Sequence, residues 1–475
     1  MTAHLDPDDW ETFRRASHHA LDGMIDFLRT ARERPVWQAA PSDVRERFQA
    51  PLPLGPREFT AVLDDFDLNI KPYAVGNTHP LFMGWVHGAG TPVGMIAEML
   101  AAGLNANCGG RNHIGIAVEN QIVRWAAELF EFPQDSSGIF VTGSSAANLL
   151  GLLVARNTAM GHGCRRDGLA ASGKQLVAYA SDQAHGCVAQ AMEAAGVGSQ
   201  HLRAIPTDSA GAMRVDLLQA AIDGDLAAGL APFLIVGTAG TVNTGAIDPL
   251  RDLALTAKKY HLWFHVDGAF GALAALSATL RPRLSGIELA DSIALDFHKW
   301  AHVPYDAGFL LVRDGKAHRD AFANPAAYLQ RAPRGLAAGE TWPCDLGLDL
   351  SRGFRALKTW FTFQVHGADK IARAIEANCE NARYLGECVA RSDLFELRAA
   401  VPLNIVCFAL KTGWPEQANE AVVIDLQERG AAAPSMTRLS GRPVIRAAIV
   451  NHRTTKADID DFVVALRDAA ARVIG

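Results

Sequence analysis

The chain has 475 residues, with 45 Lys and Arg against 51 Asp and Glu, a formal charge of −6, and 49% of it is hydrophobic. This balance excludes disorder for the bulk of the chain, and a protein of this length can bury a large core around a pocket. The acidic balance lacks the positive field that binding to a phosphate backbone requires. It therefore argues against nucleic acid as the principal partner and favours small molecules.

The seven cysteines are scattered, odd in number and without a Cys-x-x-Cys pair, which indicates reduced thiols in a cytoplasmic protein. The first residues show neither the basic nor the apolar segment of a secretion signal, so secretion is not expected. The longest uncharged run, from Leu226 to Ile247, contains Pro232 and four glycines and would cross a bilayer poorly. It predicts a buried strand followed by a loop, and no membrane partner is expected.

Residues 1–80 are predicted to form an N-terminal arm. Apolar residues recur at helical spacing between Trp10 and Thr30, and five prolines follow between Pro35 and Pro56. Such an arm is too apolar to stand alone, so it is expected to wrap another body, either the same subunit or a neighbour. A dimer agrees with this pattern.

Residues 81–365 are predicted to form a large α/β domain. Short apolar strands alternate with helical segments, which predicts βαβ units and a mostly parallel central sheet flanked by helices. The candidate strands are Ile139–Thr142, Leu176–Ala180, Phe233–Gly237, Leu262–Val266, Ser292–Asp296 and Gly308–Val312. Ligands bind such sheets at the carboxyl ends of the strands, so the residues just after each strand are candidates for a site.

Residues 366–475 are predicted to form a smaller α+β domain. A long helical pattern opens it after Gly367, and apolar strands are expected at Asn404–Leu410 and Val444–Val450.

Polar residues follow three of the large-domain strands, and each has an ordinary interpretation by itself. The turn with Ser144 and Ser145 precedes a helix, where amides and hydroxyls can bind a phosphate, although a serine there can simply cap the helix. His185 follows the second strand and Thr241 the third. Taken alone, either is an ordinary loop residue.

Two other strand ends are more specific. The fourth strand leads into Asp267, a carboxylate among small residues that is costly to bury unless it pairs with a cation. The fifth leads into Lys299, between His298 and Trp300. Most lysines are solvated, yet one held in a partly apolar site can act as an amine nucleophile.

Together these groups meet the needs of pyridoxal phosphate. The lysine forms a Schiff base, the aspartate pairs with the ring nitrogen, and the helix terminus holds the phosphate. A metal site is the rival interpretation, because the pairs His261/His265 and His298/His302 have the spacing that shares a strand face. Neither pair has a carboxylate or a third histidine at a recognised ligand spacing, so no metal is expected.

With these residues the chain resembles the group II pyridoxal-phosphate decarboxylases, the family of aromatic-L-amino-acid, histidine and glutamate decarboxylases. The resemblance covers nearly its whole length. The resemblance implies a fold-type-I homodimer with the active site at the subunit interface. The matching segments are Asn77–Phe82, Gly143–Asn148, Ser181–His185, His265–Ala269, Asp296–Trp300, Val303–Asp306 and Asn451–Thr455.

The resemblance also implies individual roles. Lys299 is the aldimine lysine, Asp267 is the partner of the pyridine nitrogen, and His185 stacks on the cofactor ring. The other implied cofactor contacts are Ala269 on the opposite face, Ser144, Ser145 and His298 at the phosphate, and Thr241 nearby.

The implied reaction is loss of CO₂ from an L-amino acid, followed by protonation of a quinonoid intermediate at Cα. Tyr328, in the segment 324–329, matches the loop tyrosine that the family places there. Relatives that form aldehydes carry another residue at this position, so Tyr328 favours plain decarboxylation to the amine. The alternatives are action on an acidic or other polar amino acid, an aldehyde-forming synthase, another carbon–carbon lyase or an aminotransferase, and a non-catalytic scaffold.

The substrate pocket gives mixed indications. Trp85 retains an aromatic side chain and Gly88 is expected to leave room for a bulky ring, which together favour an aromatic L-amino acid. Asn105 and Asn107 place amides where animal aromatic decarboxylases have apolar groups, and His113 replaces a common proline. These three predict a more polar pocket, although the two asparagines equally fit structural amides that satisfy backbone groups.

Overall fold

The computed structural model describes residues 4–324 and 330–474, and a seven-stranded sheet forms its centre. The strand order is β1-β7-β6-β5-β4-β2-β3. The strands are β1 Ser137–Val141, β2 Leu176–Ser181, β3 Leu202–Ile205, β4 Ala231–Thr238, β5 Trp263–Asp267, β6 Ser292–Asp296 and β7 Gly308–Val312. Only β7 runs antiparallel to its neighbours. The predicted mostly parallel α/β sheet is therefore confirmed.

The buried strands lie where the apolar runs predicted them. Strands β6 and β7 have the predicted bounds, and both are buried along their whole length. Strand β3 was not predicted, because it is a half-exposed edge strand that carries Arg203 and has no continuous apolar run. Continuous burial is thus the feature that makes a strand of this sheet visible in the sequence.

Helices cover the sheet and form the N-terminal arm. In the arm they are α1 Trp10–Arg29, α2 Ser42–Arg47 and α3 Phe59–Asn69. Around the sheet they are α4 Pro92–Leu104, α5 Ile114–Leu129, α6 Ser144–Met160, α7 Cys164–Asp167, α8 Cys187–Ala194, α9 Val215–Ala227, α10 Leu250–Tyr260, α11 Phe297–Trp300 and α12 Gly315–Phe322.

Helix α6 begins directly after β1 and packs across β4 to β7. Its start requires glycine at position 308, because a Cβ atom there would lie 2.4 Å from the Cα atom of Gly143. This close approach of two strand ends fixes the point at which the backbone amides of α6 face the edge of the sheet.

A second, antiparallel sheet lies in the C-terminal part, in the order β10-β11-β9-β8. Its strands are β8 Phe395–Leu397, β9 Ile405–Leu410, β10 Ser435–Leu439 and β11 Arg442–Ala448, and its helices are α13 Arg355–Ala390, α14 Gln417–Glu428 and α15 Lys456–Ile474. Helix α13 is interrupted at Gly367, where φ is +70°, next to the predicted boundary between residues 365 and 366. Both domain boundaries remain predictions.

The chain just after the arm belongs structurally to the C-terminal part. Phe82 forms a β-bridge with Ala433, and Met83 packs in the core of the small sheet. Within the described residues, no helix is both long and apolar enough to cross a membrane. All seven cysteines are free.

Candidate active site

A cavity of about 390 Å³ lies at the carboxyl ends of β4, β5 and β6. It collects residues that are far apart in the sequence, as expected for a parallel sheet. Of the predicted site residues, the following line it: Trp85, Ser144, Ser145, His185, Asp267, Ala269, His298 and Lys299. A larger cavity of about 490 Å³ lies beside α5, and its lining is mainly apolar, so the chemistry points to the smaller one.

Asp267 is the buried acid of the cavity, with 3% of its surface exposed. It accepts hydrogen bonds from the Ala269 amide (3.2 Å) and from the Asn148 side chain. Burial raises its pKa, against the attraction of Lys299 and His185. Among the described residues it has no ion-pair partner within 4.0 Å, so the carboxylate has room for a cationic ligand atom.

Lys299 forms its ion pair with Asp296, and the distance from Nζ to Oδ2 is 2.9 Å. The Asp296 carboxylate also accepts hydrogen bonds from the Ser144 amide (2.6 Å) and the Ser144 hydroxyl (2.7 Å). Asp296 was not predicted as a site residue, since the sequence places it only as the last residue of β6. Both donors that were expected to hold a phosphate at Ser144 thus face a carboxylate, while Ser145 lines the cavity next to them.

Two of the three histidines that line the cavity accept hydrogen bonds from backbone amides. The Cys187 amide donates to His185 Nδ1 (3.1 Å), and the Ala307 amide donates to His298 Nδ1 (3.0 Å). A backbone N–H can only donate, so Nδ1 is the acceptor in both rings, and the proton of the neutral His298 ring lies on Nε2. Burial, the largest cause, lowers the pKa of His298 to about 4.

Tyr305 packs on His298 with 4.3 Å between ring centroids and lines the cavity. Burial and the nearby Asp296 raise the pKa of its phenol to about 12, so it stays protonated. Tyr305 lies in the segment Val303–Asp306, which matches the family, but it was not predicted as a site residue.

An aromatic wall forms one side of the cavity. The rings of Phe82, Trp85 and His87 form one cluster, in which His87 lies 5.6 Å from each of the other two and these lie 6.3 Å from each other. The His87 ring also makes an edge contact with Tyr305 at 6.1 Å. Burial and the charge of Lys299 lower the pKa of His87, so the ring is neutral at neutral pH. Sequence reasoning missed His87 because it lies in a loop that no predicted strand precedes.

A buried arginine supports this wall from the small sheet. Arg446 donates hydrogen bonds to the carbonyl oxygens of Trp85 (3.0 Å) and Val242 (2.8 Å). Burial lowers its pKa to about 10, which leaves the guanidinium cationic at neutral pH. Arg446 thereby holds the backbone at Trp85, where φ is +52°.

Gly88 serves a different purpose from the one predicted. A Cβ atom there would lie 1.8 Å from the carbonyl oxygen of His298 and 2.6 Å from that of Lys299. The expected room for a substrate ring is therefore filled by the backbone of α11. Glycine is needed at this position because the chain passes directly against that short helix.

Three predicted pocket residues do not line the cavity of this chain. Asn105 ends α4 in the left-handed conformation, and Asn107 Oδ1 accepts hydrogen bonds from the amides of Gly109 and Arg352. His113 caps the start of α5 through its Nδ1 atom. The roles observed for them are structural, and their contact with a substrate remains a prediction.

Two further predicted residues also lie away from the described lining. Thr241 is fully buried, and its hydroxyl oxygen accepts from the amide of Ala246. Tyr328 lies outside the described residues.

Among the histidines considered as metal ligands, His265 has partners for its whole ring, whereas neither ring nitrogen of the buried His302 has a hydrogen-bond partner among the described residues. Both ring nitrogens of His265 are engaged, Nδ1 with Ser292 and Nε2 with Asn148, each at 2.7 Å. In the described part of the chain, no group of three or more His, Cys, Asp or Glu side chains could hold a metal ion.

Comparison with known proteins agrees with this site. The profile of the pyridoxal-dependent decarboxylase conserved domain matches residues 41–411. An aromatic-L-amino-acid decarboxylase of Bacillus atrophaeus is 30% identical over 98% of this chain and 96% of its own. A phenylacetaldehyde synthase of Arabidopsis thaliana is 28% identical over 94% and 93%. The crystal structure of an Oryza sativa TDC with PLP and tryptamine superimposes with a TM-score of 0.91, at 24% identity, over 99% of this chain and all of the other.

The fold and the cavity define a pyridoxal-phosphate enzyme of fold type I, as the resemblance implied. The chain belongs to the family of pyridoxal-dependent decarboxylases. Its cofactor is pyridoxal 5'-phosphate, and the cavity fits this group, because an amine and a buried acid without an ion-pair partner among the described residues line the same space.

Proposed function

We propose that this protein converts an aromatic L-amino acid to its amine and CO₂. The observation that carries the proposal is the joint lining of one cavity by Lys299, Asp267 and His185. The aromatic wall of Trp85 and His87 on the same cavity favours an aromatic side chain, since offset and edge contacts between rings are favourable.

Bound pyridoxal phosphate supplies an electron sink for the pair released when the bond from Cα to the carboxylate breaks. Lys299 would hold the cofactor through its amine. Asp267 would hold a proton at the ring nitrogen, because a carboxylate in a buried site strongly favours a cationic partner. His185 and Ala269 would hold the ring, and Ser145 and His298 would hold the phosphate.

Tyr328 is proposed to give the proton that Cα requires after CO₂ leaves. The chain has at this position the tyrosine that the family places in a loop near the cofactor, and this supports amine formation. The similarity to a phenylacetaldehyde synthase supports one alternative, namely oxidative formation of an aldehyde. Action on an acidic or other polar amino acid is the second alternative, because His87 adds a neutral hydrogen-bonding ring to the pocket.

We further propose a cytoplasmic homodimer whose active site lies at the subunit interface. Exposed apolar residues of the arm support it, since Trp10 is 57% exposed and Ile25 43% exposed in the single chain. Light scattering at micromolar concentration is expected to give twice the mass of 50.9 kDa.

A screen of the common L-amino acids for amine, CO₂, aldehyde and peroxide tests the activity. Equal amounts of amine and CO₂ from an aromatic amino acid are expected, with Lys299→Ala as the inactive control. Tyr328→Phe is expected to shift the products toward aldehyde and peroxide. Aldehyde as the main product of the unaltered protein would overturn the proposal, as would amine formed only from an acidic amino acid.

A further inference from the structure

One face of β5 carries three polar or aromatic residues in alternation. Side chains two positions apart in a strand share a face, so Trp263, His265 and Asp267 point to the same side. In the neighbouring strand β6, Ser292 lies directly opposite His265 in the register. Helix α6 covers this face and contributes Asn148, which is 2% exposed.

These side chains form a continuous series of hydrogen bonds. The indole nitrogen of Trp263 lies 2.8 Å from Ser292 Oγ, and the same oxygen lies 2.7 Å from His265 Nδ1. His265 Nε2 lies 2.7 Å from Asn148 Oδ1. The amide nitrogen of Asn148 then faces Cys187 Sγ (3.3 Å) and the carboxylate of Asp267.

The chemistry of Trp263 sets the direction of the whole series. An indole N–H can only donate, so Ser292 Oγ accepts from it. Among the described residues, His265 Nδ1 is the one acceptor within reach of the Ser292 hydroxyl proton, so Ser292 donates to His265. The neutral ring of His265 then carries its proton on Nε2 and donates to Asn148 Oδ1. With its oxygen engaged, Asn148 can present only its NH₂ group to Asp267.

We propose that Trp263, Ser292, His265 and Asn148 are positioning residues that fix the orientation of Asp267 toward the cofactor. The donor from Asn148 occupies one side of the carboxylate and favours its ionised form, which is the form that a cationic pyridine nitrogen requires. None of the four is proposed to touch the reacting atoms.

The packing around His265 agrees with a single fixed ring position. A Cβ atom on Gly151, one helical turn beyond Asn148, would lie 2.8 Å from His265 Cε1. The ring is 1% exposed, and burial lowers its pKa to about 3, so it stays neutral. A charged ring would donate from both nitrogens and could no longer accept from Ser292.

The inference rests on the proposed role of Asp267, and its test separates the two. His265→Leu leaves Asn148 Oδ1 without a donor, so the amide is free to turn its oxygen toward Asp267. Loss of one hydrogen bond to a charged group is expected to weaken cofactor binding about tenfold or more. The visible absorbance band of the bound cofactor is expected to shift as well.

The matched control is His318→Leu. His318 is also fully buried, and its Nδ1 lies 2.7 Å from Ser137 Oγ, but it does not line the cavity. This variant is expected to lose stability while keeping the affinity and the absorbance band of the bound cofactor. His265→Gln offers one acceptor and one donor, so it is expected to restore much of the binding.

Trp263→Phe tests the direction of the series without altering His265, in case His265→Leu fails to fold. It removes the indole donor, and a smaller, severalfold loss of cofactor affinity is expected. Unchanged affinity and spectrum in both His265→Leu and Trp263→Phe, in a protein that still forms amine, would overturn the positioning role of the series and leave the proposed function intact. A native chain that binds cofactor but forms no amine would instead overturn the proposed function.

Discussion

Lys299 Nζ lies 2.9 Å from the carboxylate of Asp296, and the same carboxylate accepts both hydrogen bonds of Ser144. The lysine is thus paired with the last residue of β6 and not with Asp267, the last residue of the neighbouring strand β5, which lines the same cavity. Asp296 joins three elements at one point, namely β6, α11 and the first turn of α6.

The first prediction concerns this junction. Asp296→Ala leaves a buried amide and hydroxyl of Ser144 without acceptors and Lys299 without a counter-ion. Removal of one member of a buried charged cluster is expected to lower the free energy of unfolding by about 3 kcal/mol. Urea denaturation of the cofactor-free protein measures it.

Asp314→Ala is the control, because Asp314 caps α12 on the surface and its loss costs only about 1 kcal/mol. Asp296→Asn keeps an acceptor for the Ser144 amide and is expected to fall between the two. An Asp296→Ala protein as stable as Asp314→Ala would show that the junction carries no stability.

The second prediction concerns the close approach at Gly88. Its Cβ would meet carbonyl oxygens of His298 and Lys299, which belong to the backbone and cannot rotate away. Gly88→Ala is therefore expected to displace α11 and with it the lysine. Displacement by about an ångström costs roughly a hundredfold in turnover, which a steady-state assay of amine formation measures.

Gly224→Ala is the matched control. Nothing lies within 4 Å of a Cβ atom at this helical position, so the protein is expected to gain up to about 1 kcal/mol in stability and keep its turnover. Full activity in Gly88→Ala would mean that α11 can move without consequence for Lys299.

The third prediction concerns a fully buried ion pair beside β1. Arg352 and Glu119 are 1% and 3% exposed and lie 2.6 Å apart, and each also bonds the backbone of Phe140 in β1. Glu119→Gln leaves a buried guanidinium without its counter-charge, so the free energy of unfolding is expected to fall by about 3 kcal/mol.

A double-mutant cycle in urea checks this interpretation. Glu119→Leu combined with Arg352→Met removes both charges, so its loss is expected to be clearly smaller than the sum of the two single losses. Losses that add up would indicate that the two side chains act independently.

The sequence could predict the sheet and the polar residues at its edge, because both follow from where buried strands end. Strand β6 is a continuous apolar run, so its bounds and the position of Lys299 after it were visible. The contact of Asp296 with Ser144 was not, since it joins residues 152 positions apart and depends on the exact start of α6.

The loop residues of the site could not be predicted from the sequence for a related reason. The loop that carries His87 is held by Arg446, and the hydrogen bond from Arg446 to Trp85 joins residues 361 positions apart. Gly88 was visible as a small residue, but whether a glycine makes room for a ligand or for another backbone depends on tertiary structure.

The last prediction concerns acid sensitivity. Burial lowers the pKa of His298, His318 and His452 to about 4 each, from an ordinary value of 6.5. Below pH 6.5 these histidines bind protons in the unfolded chain but stay neutral in the native protein until the pH approaches 4. The free energy of unfolding is therefore expected to fall as the pH drops from 6.5 to about 4, and these groups add no further loss below that.

Each histidine contributes up to about 1.4 kcal/mol per pH unit to this slope. Asp248 opposes it, because burial raises its pKa to about 6, so it adds stability as the pH falls from 6 toward its ordinary value of 3.8. Burial also lowers the pKa of His265 and His302 and raises that of Asp267 and Asp291. The histidines outnumber the carboxyl groups, so the net effect is destabilisation. Urea midpoints at several values between pH 7.5 and 4.5 measure the slope.

His318→Phe removes one of these groups far from the cavity and is expected to flatten the curve, whatever its effect on stability at pH 7.5. If the curve of His318→Phe ran parallel to that of the unaltered protein, the acid sensitivity would have to come from other groups.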